Sequence, residues 1–169
     1  KGTWPKLLFN LDCASVMVVG GGGGAGAGPS PGGGGAGGMI LSPGPVTIIG
    51  CSESTSIPIT IGAGGTGGSG PSIPGREGGQ GNDTTIGITG GTPLVAKGGG
   101  GAQCGPDSPC TARTIGGSGG GGRGEDPSPG NQNPGSASNQ VPSMPSSLQP
   151  FGFGNPGGIG HSCGQTPGP

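Results

Sequence analysis

The stretch VVGGGGGAGAGPSPGGGGAGGMI, Val18 to Ile40, is more than half glycine, yet a pair of apolar residues closes it at each end. Two structures suit such a stretch. It is a flexible coil between folded parts, or its tracts adopt the extended left-handed threefold helix. That helix rises about 3.1 Å per residue and leaves its amides and carbonyls free for neighbours. Side chains normally hold such helices apart, so tracts made almost wholly of glycine are able to pack side by side and bond laterally through their backbones. Ordering glycine is entropically unfavourable, and prolines in GPSPG, PSPG and NPGG offset part of that by pre-setting φ and placing turns. Composition alone fits the flexible linker, but short β-branched islands bracket the tracts and serine and charged residues are scarce inside them, so both structures stay open at this point.

Composition excludes an ordinary side-chain core. Glycine and proline make up 70 of the 169 residues, whereas Leu, Ile, Val and Phe together supply 26. The net charge of −1 offers no basic footprint for nucleic acid and no polybasic patch for anionic lipid. No apolar run approaches the length that a membrane-spanning helix requires, so no membrane insertion is expected. The opening KGTWPKLLFNLDCASVMVV contains Asp12 and no small-residue cleavage motif, and reads as a mature or internal segment. Among five cysteines only Cys104 and Cys110 look local, because the prolines and Asp107 of CGPDSPC favour a turn between them. A disulfide there and free loop thiols are equally compatible with the sequence.

Islands of period-two or β-branched sequence predict strands at Ser15–Val19, Met39–Leu41, Val46–Ile49, Ile57–Ile61, Thr84–Ile88 and Pro93–Lys97. Pro58 cannot donate to a ladder, so its strand is expected at a sheet edge or with that amide position facing outward. No ten-residue window carries a helical period free of glycine and proline. The fold class expected is mainly β and irregular: short strands plus packed, polyglycine II-like extended helices, with essentially no α-helix. The apolar faces of the strands are expected to include Val16, Val18, Ile48, Ile59, Ile61, Ile86 and Val95. Within one glycine-rich domain the chain divides into a β-island region at 1–97, a glycine tract region at 98–124 and a Pro/Gly/polar tail at 125–169. A β-carbon inside a packed tract would force backbones apart, so valine at Gly22 or Gly34 is expected to be disruptive.

In order and spacing, four elements resemble the glycine-rich domain of bacteriophage tail-fibre and tail-tip proteins and related viral surface proteins. SVMVVGGGGGAGAG resembles the opening strand and tract, and GGGGAGGMILSPGPVTI the second tract and its turn. IPITIGAGGTGG resembles a strand followed by GAGG, and GGQGNDTTIGITGGTPLVAKGGGGA the next hairpin and third tract. The segment Glu125 to Pro150 departs from that pattern in carrying more proline and less glycine. The resemblance implies a small β-region fused to a sandwich of glycine helices on a trimeric or trimer-capping virion appendage, at the virion surface or otherwise extracellular. It implies partners among copies of the chain itself, other appendage proteins and a host surface receptor. The receptor-facing loops would carry Ser52 and Glu53, then Asp107 and Arg113, then Glu125, Asp126, Asn131 and Asn133. A secreted, self-assembling fibre or matrix protein is the alternative. Ice binding would need Thr, Ala or Ser at threefold spacing along long tracts, and the tracts here are irregular.

Catalysis is not expected. The lone histidine, His161, has Cys163 nearby but no neighbouring carboxylate, so no nucleophile–base pair is set up by sequence. His161, Cys163, Cys104 and Cys110 have the right ligand types for a metal but no recognised spacing. Gly21, Gly23 and Gly26 fit a dinucleotide fingerprint, yet the GPSPGGGG that follows cannot begin a helix, and nothing calls for a cofactor. Asn82 begins an N-glycosylation tripeptide, NDT. Trp4, Phe151 and Phe153 read as packing plugs.

Overall fold

A computed structural model of the chain describes residues 15–28, 31–41, 57–69, 77–87, 92–102, 115–122 and 152–158. None of these residues is helical. They form six strands of two or three residues: β1 (Met17–Val19), β2 (Met39–Leu41), β3 (Ile59–Thr60), β4 (Thr84–Ile86), β5 (Leu94–Ala96) and β6 (Gly152–Phe153). The strands pair antiparallel into two sheets, ordered β1-β2-β6 and β3-β4-β5. Five of the predicted islands contain strands; the sixth, Val46–Ile49, lies outside the described residues. β3 is the edge of its sheet, the first of the two arrangements expected for Pro58, and the Pro58 carbonyl accepts from the Gly87 amide at 2.9 Å. β6 was not anticipated, because Gly152–Phe153 is too short for any period to show.

Val18 and Ile40 from the first sheet and Leu94 and Ala96 from the second meet in a small core, with half-buried Val16 and Ile86 against it. Two expected core residues lie elsewhere. Ile61 falls one residue past β3 and is 76 % exposed. Val95 points away from the core, because alternation along β5 turns Leu94 and Ala96 inward. Ile59 is half-buried, and Ile48 lies outside the described residues.

Each strand leads into or out of a glycine tract. In chain order the tracts are 20–28, 31–38, 61–69, 77–83, 97–102, 115–122 and 154–158. Bonding between them recurs every third residue. Gly20, Gly23 and Gly26 donate their amides to the carbonyls of Gly38, Gly35 and Gly32 in the second tract. Gly21 and Gly24 donate to Asn82 and Gly79 in the fourth. The carbonyls of Gly22 and Ala25 accept from Gly65 and Gly68 in the third, and those of Gly21 and Gly24 accept from Gly99 and Ala102 in the fifth. A threefold period toward every neighbour is what the extended threefold helix produces. The first tract therefore has four neighbours, bonded at 2.8 to 3.0 Å.

The same pattern orders the remaining tracts. The fifth bonds to the first, second, fourth and sixth, and the sixth also bonds to the second and seventh. The bonds, with the β2–β6 pairing that sets the seventh tract beside the second, define two staggered layers. One runs third, first, second, seventh; the other runs fourth, fifth, sixth and sits in the furrows of the first. Val18 to Ile40 is thus part of the fold, and it packs on the tracts at 97–102 and 115–122, as the packed arrangement expects. Gly28, with φ of 108°, ends the first tract in a conformation that side chains disfavour, immediately before Pro29.

Steric phase decides which glycines are obligatory. A Cβ on Gly34 would lie closer than 3.0 Å to the Gly23 carbonyl, so valine there is disruptive as expected. Gly22 is a correction: its Cβ would point outward, with only the Gly35 carbonyl oxygen nearby at 3.8 Å. The residue faces solvent because the threefold helix turns one position in three away from all neighbours.

Side chains reinforce the junction between strands and tracts. Thr84, buried, accepts the Gly62 amide on Oγ1 at 3.0 Å. The Asp83 carboxylate accepts from Lys97 Nζ at 2.7 Å on Oδ2 and from the Gly98 amide at 2.9 Å on Oδ1. Both side chains are about one-third exposed, which limits the ion pair itself to about 0.5 kcal/mol. Asp83→Ala also removes the acceptor of the Gly98 amide and should cost about 1–2 kcal/mol, whereas Lys97→Met should cost less than half of that. Urea unfolding of the two variants measures the difference, and equal losses would contradict this division.

Candidate functional site

The two layers present unlike outer faces. On the layer formed by the fourth, fifth and sixth tracts the outward side chains are polar. Gln80 reaches across the fifth tract and donates from Nε2 to the Ile115 carbonyl at 2.8 Å. Gln80, Gly81, Asn82, Asp83, Lys97 and Gly116 line an open cleft there of about 430 Å³. The Asp83–Lys97 pair occupies its wall, each partner bonded to the other and Asp83 also to the Gly98 amide.

The opposite layer is different along its third, first and second tracts. Along the first tract the outward column is Val19, Gly22, Ala25 and Gly28, all exposed. Along the second it is Gly33, where a Cβ would meet nothing within 4 Å, then Ala36 and half-buried Met39. Along the third it is Ile61, Gly64 and Gly67. The β1-β2-β6 sheet continues this surface. Its register pairs Met17 with Leu41, and Val19 with Met39 and Phe153, on the side opposite buried Val18 and Ile40. Met17 is 66 % exposed, and Val19, Leu41 and Phe153 are nearly half exposed. These three columns carry no polar or charged side chain, and below the sheet nothing on them rises above a methyl group, whereas the seventh tract adds exposed Asn155 and Pro156. The outer side of the other sheet is unlike it, with Thr60, Thr85 and Val95 in register.

Sequence reasoning did not find this face. Its signal lay in the threefold spacing from Val19 to Ala25 and from Ala36 to Met39, which becomes a surface only once the order of tracts is known. The candidate loop residues Ser52, Glu53, Asp107, Arg113, Glu125, Asp126, Asn131 and Asn133 lie outside the described residues, as do Cys104, Cys110, His161, Cys163, Trp4 and Phe151. Among the described residues no three His, Cys, Asp or Glu side chains gather as a metal site, and no helix is long and apolar enough to cross a membrane. Gly21, Gly23 and Gly26 spend their amides on neighbouring carbonyls. Asn82 is exposed, while Thr84 of the same tripeptide is buried with its hydroxyl bound to the fold.

A family model described as a glycine-rich domain matches residues 3–169. No curated protein and no solved structure matches the chain.

Proposed function

The chain belongs to the glycine-rich domain family, and from that premise we propose that it is a structural component of an extracellular assembly, a rigid scaffold that displays loops for attachment to a host surface. The observation that carries this reading is the backbone-to-backbone array across all seven tracts. A scaffold held by amides and carbonyls needs few side chains for its own stability, so the segments between tracts are available for recognition, where exposed loops ordinarily carry binding. In this reading the assembly is a virion appendage such as a tail fibre, spike or fibre tip. Ser52, Glu53, Asp107, Arg113, Glu125, Asp126, Asn131 and Asn133 contribute to receptor contact, and the partners are copies of the chain, other appendage proteins and the receptor. The chain has no catalytic role in it.

A secreted, self-assembling fibre is the second reading, favoured by the apolar face of the first layer. Antibody labelling of native particles and of secreted matrix, viewed by electron microscopy, separates the two. Label at the tips or shafts of particle appendages supports the first. Label confined to free fibres replaces it with the second, and label inside cells removes both.

A further inference from the structure

Among the described residues, the layer containing the first tract exposes an apolar surface. We propose that this face binds the identical face of a second copy of the chain, forming a twofold dimer.

Three features point to a copy of the same chain as the occupant. The first is charge. Outward columns of the first three tracts and the β1-β2-β6 sheet carry no charged side chain, so two such faces meet without like-charge repulsion and without stranding an ion. The second is relief. Gly22, Ala25, Gly33 and Ala36 make the first two tracts flat to within a methyl group, with uncharged Asn155 and Pro156 on the seventh at one side, and a flat surface is complementary to itself. The third is size. Four tracts about 4.8 Å apart, each rising about 3.1 Å per residue, give a face of roughly 20 by 30 Å, on the order of 600 Å². Two copies would bury on the order of 1,200 Å², the lower end of the range for specific interfaces. Met17, Val19, Leu41 and Phe153 supply the large apolar side chains that anchor such an interface, clustered at one end.

A face that meets its own copy does so about a twofold axis. The association is therefore a dimer and not the threefold assembly suggested by a fibre. It needs only this face, and it stands or falls separately from the appendage reading, which is tested by location.

The test uses the full chain, by sedimentation equilibrium over a wide concentration range. Wild type should pass from monomer to dimer as concentration rises. Gly22→Asp and Ala36→Asp each place an unpaired carboxylate twice in the interface and should weaken association by about a hundredfold. Neither change meets a backbone neighbour, since Gly22 points outward and Ala36 already carries an exposed Cβ. Hydrogen exchange at Gly35 and Gly99 should accordingly stay as slow as in wild type. Ala63→Asp, at the free side of the third tract, should leave the dimer intact. A wild type that is monomeric throughout, as a face reserved for a different protein requires, overturns the proposal. So does a trimer, or a dimer indifferent to both outward carboxylates. Should either variant lose its slow exchange, a water-borne paramagnetic probe on wild type still decides. The Met17 and Val19 methyl signals must become shielded at high concentration, and equal broadening at all concentrations overturns the dimer.

Discussion

Valine in place of Gly99 or Gly23 is expected to unfold the glycine array at temperatures where the natural chain is intact. Gly99 lies in the fifth tract, which has neighbours in both layers. Its Cβ would lie closer than 3.0 Å to the carbonyl oxygen of Gly35, and a Cβ on Gly23 would lie equally close to the Gly100 carbonyl. Backbone cannot yield as a flexible side chain does, so the tract must move. Moving it breaks the bonds from Gly99 to Gly21, from Gly35 to Gly100, from Gly81 to Gly99 and from Gly100 to Ser118. Each buried group left unpaired costs about 1–3 kcal/mol, so the total reaches on the order of 4 kcal/mol or more, exceptional for one substitution. Gly22→Val, one residue from Gly23, should stay within about 0.5 kcal/mol, as surface changes do. Thermal unfolding by circular dichroism reads both, and a Gly99→Val chain that melts with the Gly22→Val chain would show that the tracts are not packed.

The second large effect is expected in the side-chain core. Ile40→Ala or Leu94→Ala should cost about 2–5 kcal/mol, the range for emptying a fully buried aliphatic site. Both residues are completely buried, and the core they share with Val18 and Ala96 is the whole of the buried apolar cluster among the described residues. The core sits where the two sheets face each other, and its register fixes how far the attached tracts slide along one another. Glycine tracts alone specify no register, because every residue offers the same groups. Ile61→Ala, at an exposed site, should stay within about 0.5 kcal/mol in dilute solution. Urea titration followed by hydrogen exchange at Gly23 and Gly99 distinguishes the outcomes. Unchanged exchange in Ile40→Ala would mean that the array holds its register without the sheets.

The strands and tracts were legible because their residues speak through local chemistry. Val16 to Val19, Met39 to Leu41 and Leu94 to Ala96 favour extended backbone, and the glycine runs admit close approach. The phase within each element was less legible. Val95 was expected inward and Leu94 was not weighed, since an alternating strand of three residues has two possible faces and only the opposing sheet chooses. Gly22 and Gly23 are likewise identical in sequence, and the neighbouring carbonyls alone make one obligatory. A signal for that phase was nonetheless present. Ala25, Ala36, Ala63, Thr66 and Ser118 sit where a Cβ has room, and stepping back by three from Ala25 and Ala36 reaches Gly22 and Gly33. Ala102, buried at the end of its tract, departs from the pattern. The apolar face could not be read, because it joins tracts far apart in the chain through an order set by the bonding between layers.

A fold whose interior is peptide groups responds to temperature unlike one whose interior is hydrocarbon. Unfolding an ordinary domain exposes apolar surface and raises the heat capacity by about 12–15 cal/mol/K per residue, while exposed polar surface lowers it. Among the described residues five buried aliphatic side chains stand against a backbone array spanning seven tracts, so within this array the two contributions largely cancel. The enthalpy of unfolding then changes little with temperature, and the stability curve flattens from a dome toward a line. Cooling should therefore weaken this array less than it weakens an ordinary domain, because there is little hydrophobic driving force to fade. Its stability is set by enthalpy, in the same currency as a crystal of a simple amide.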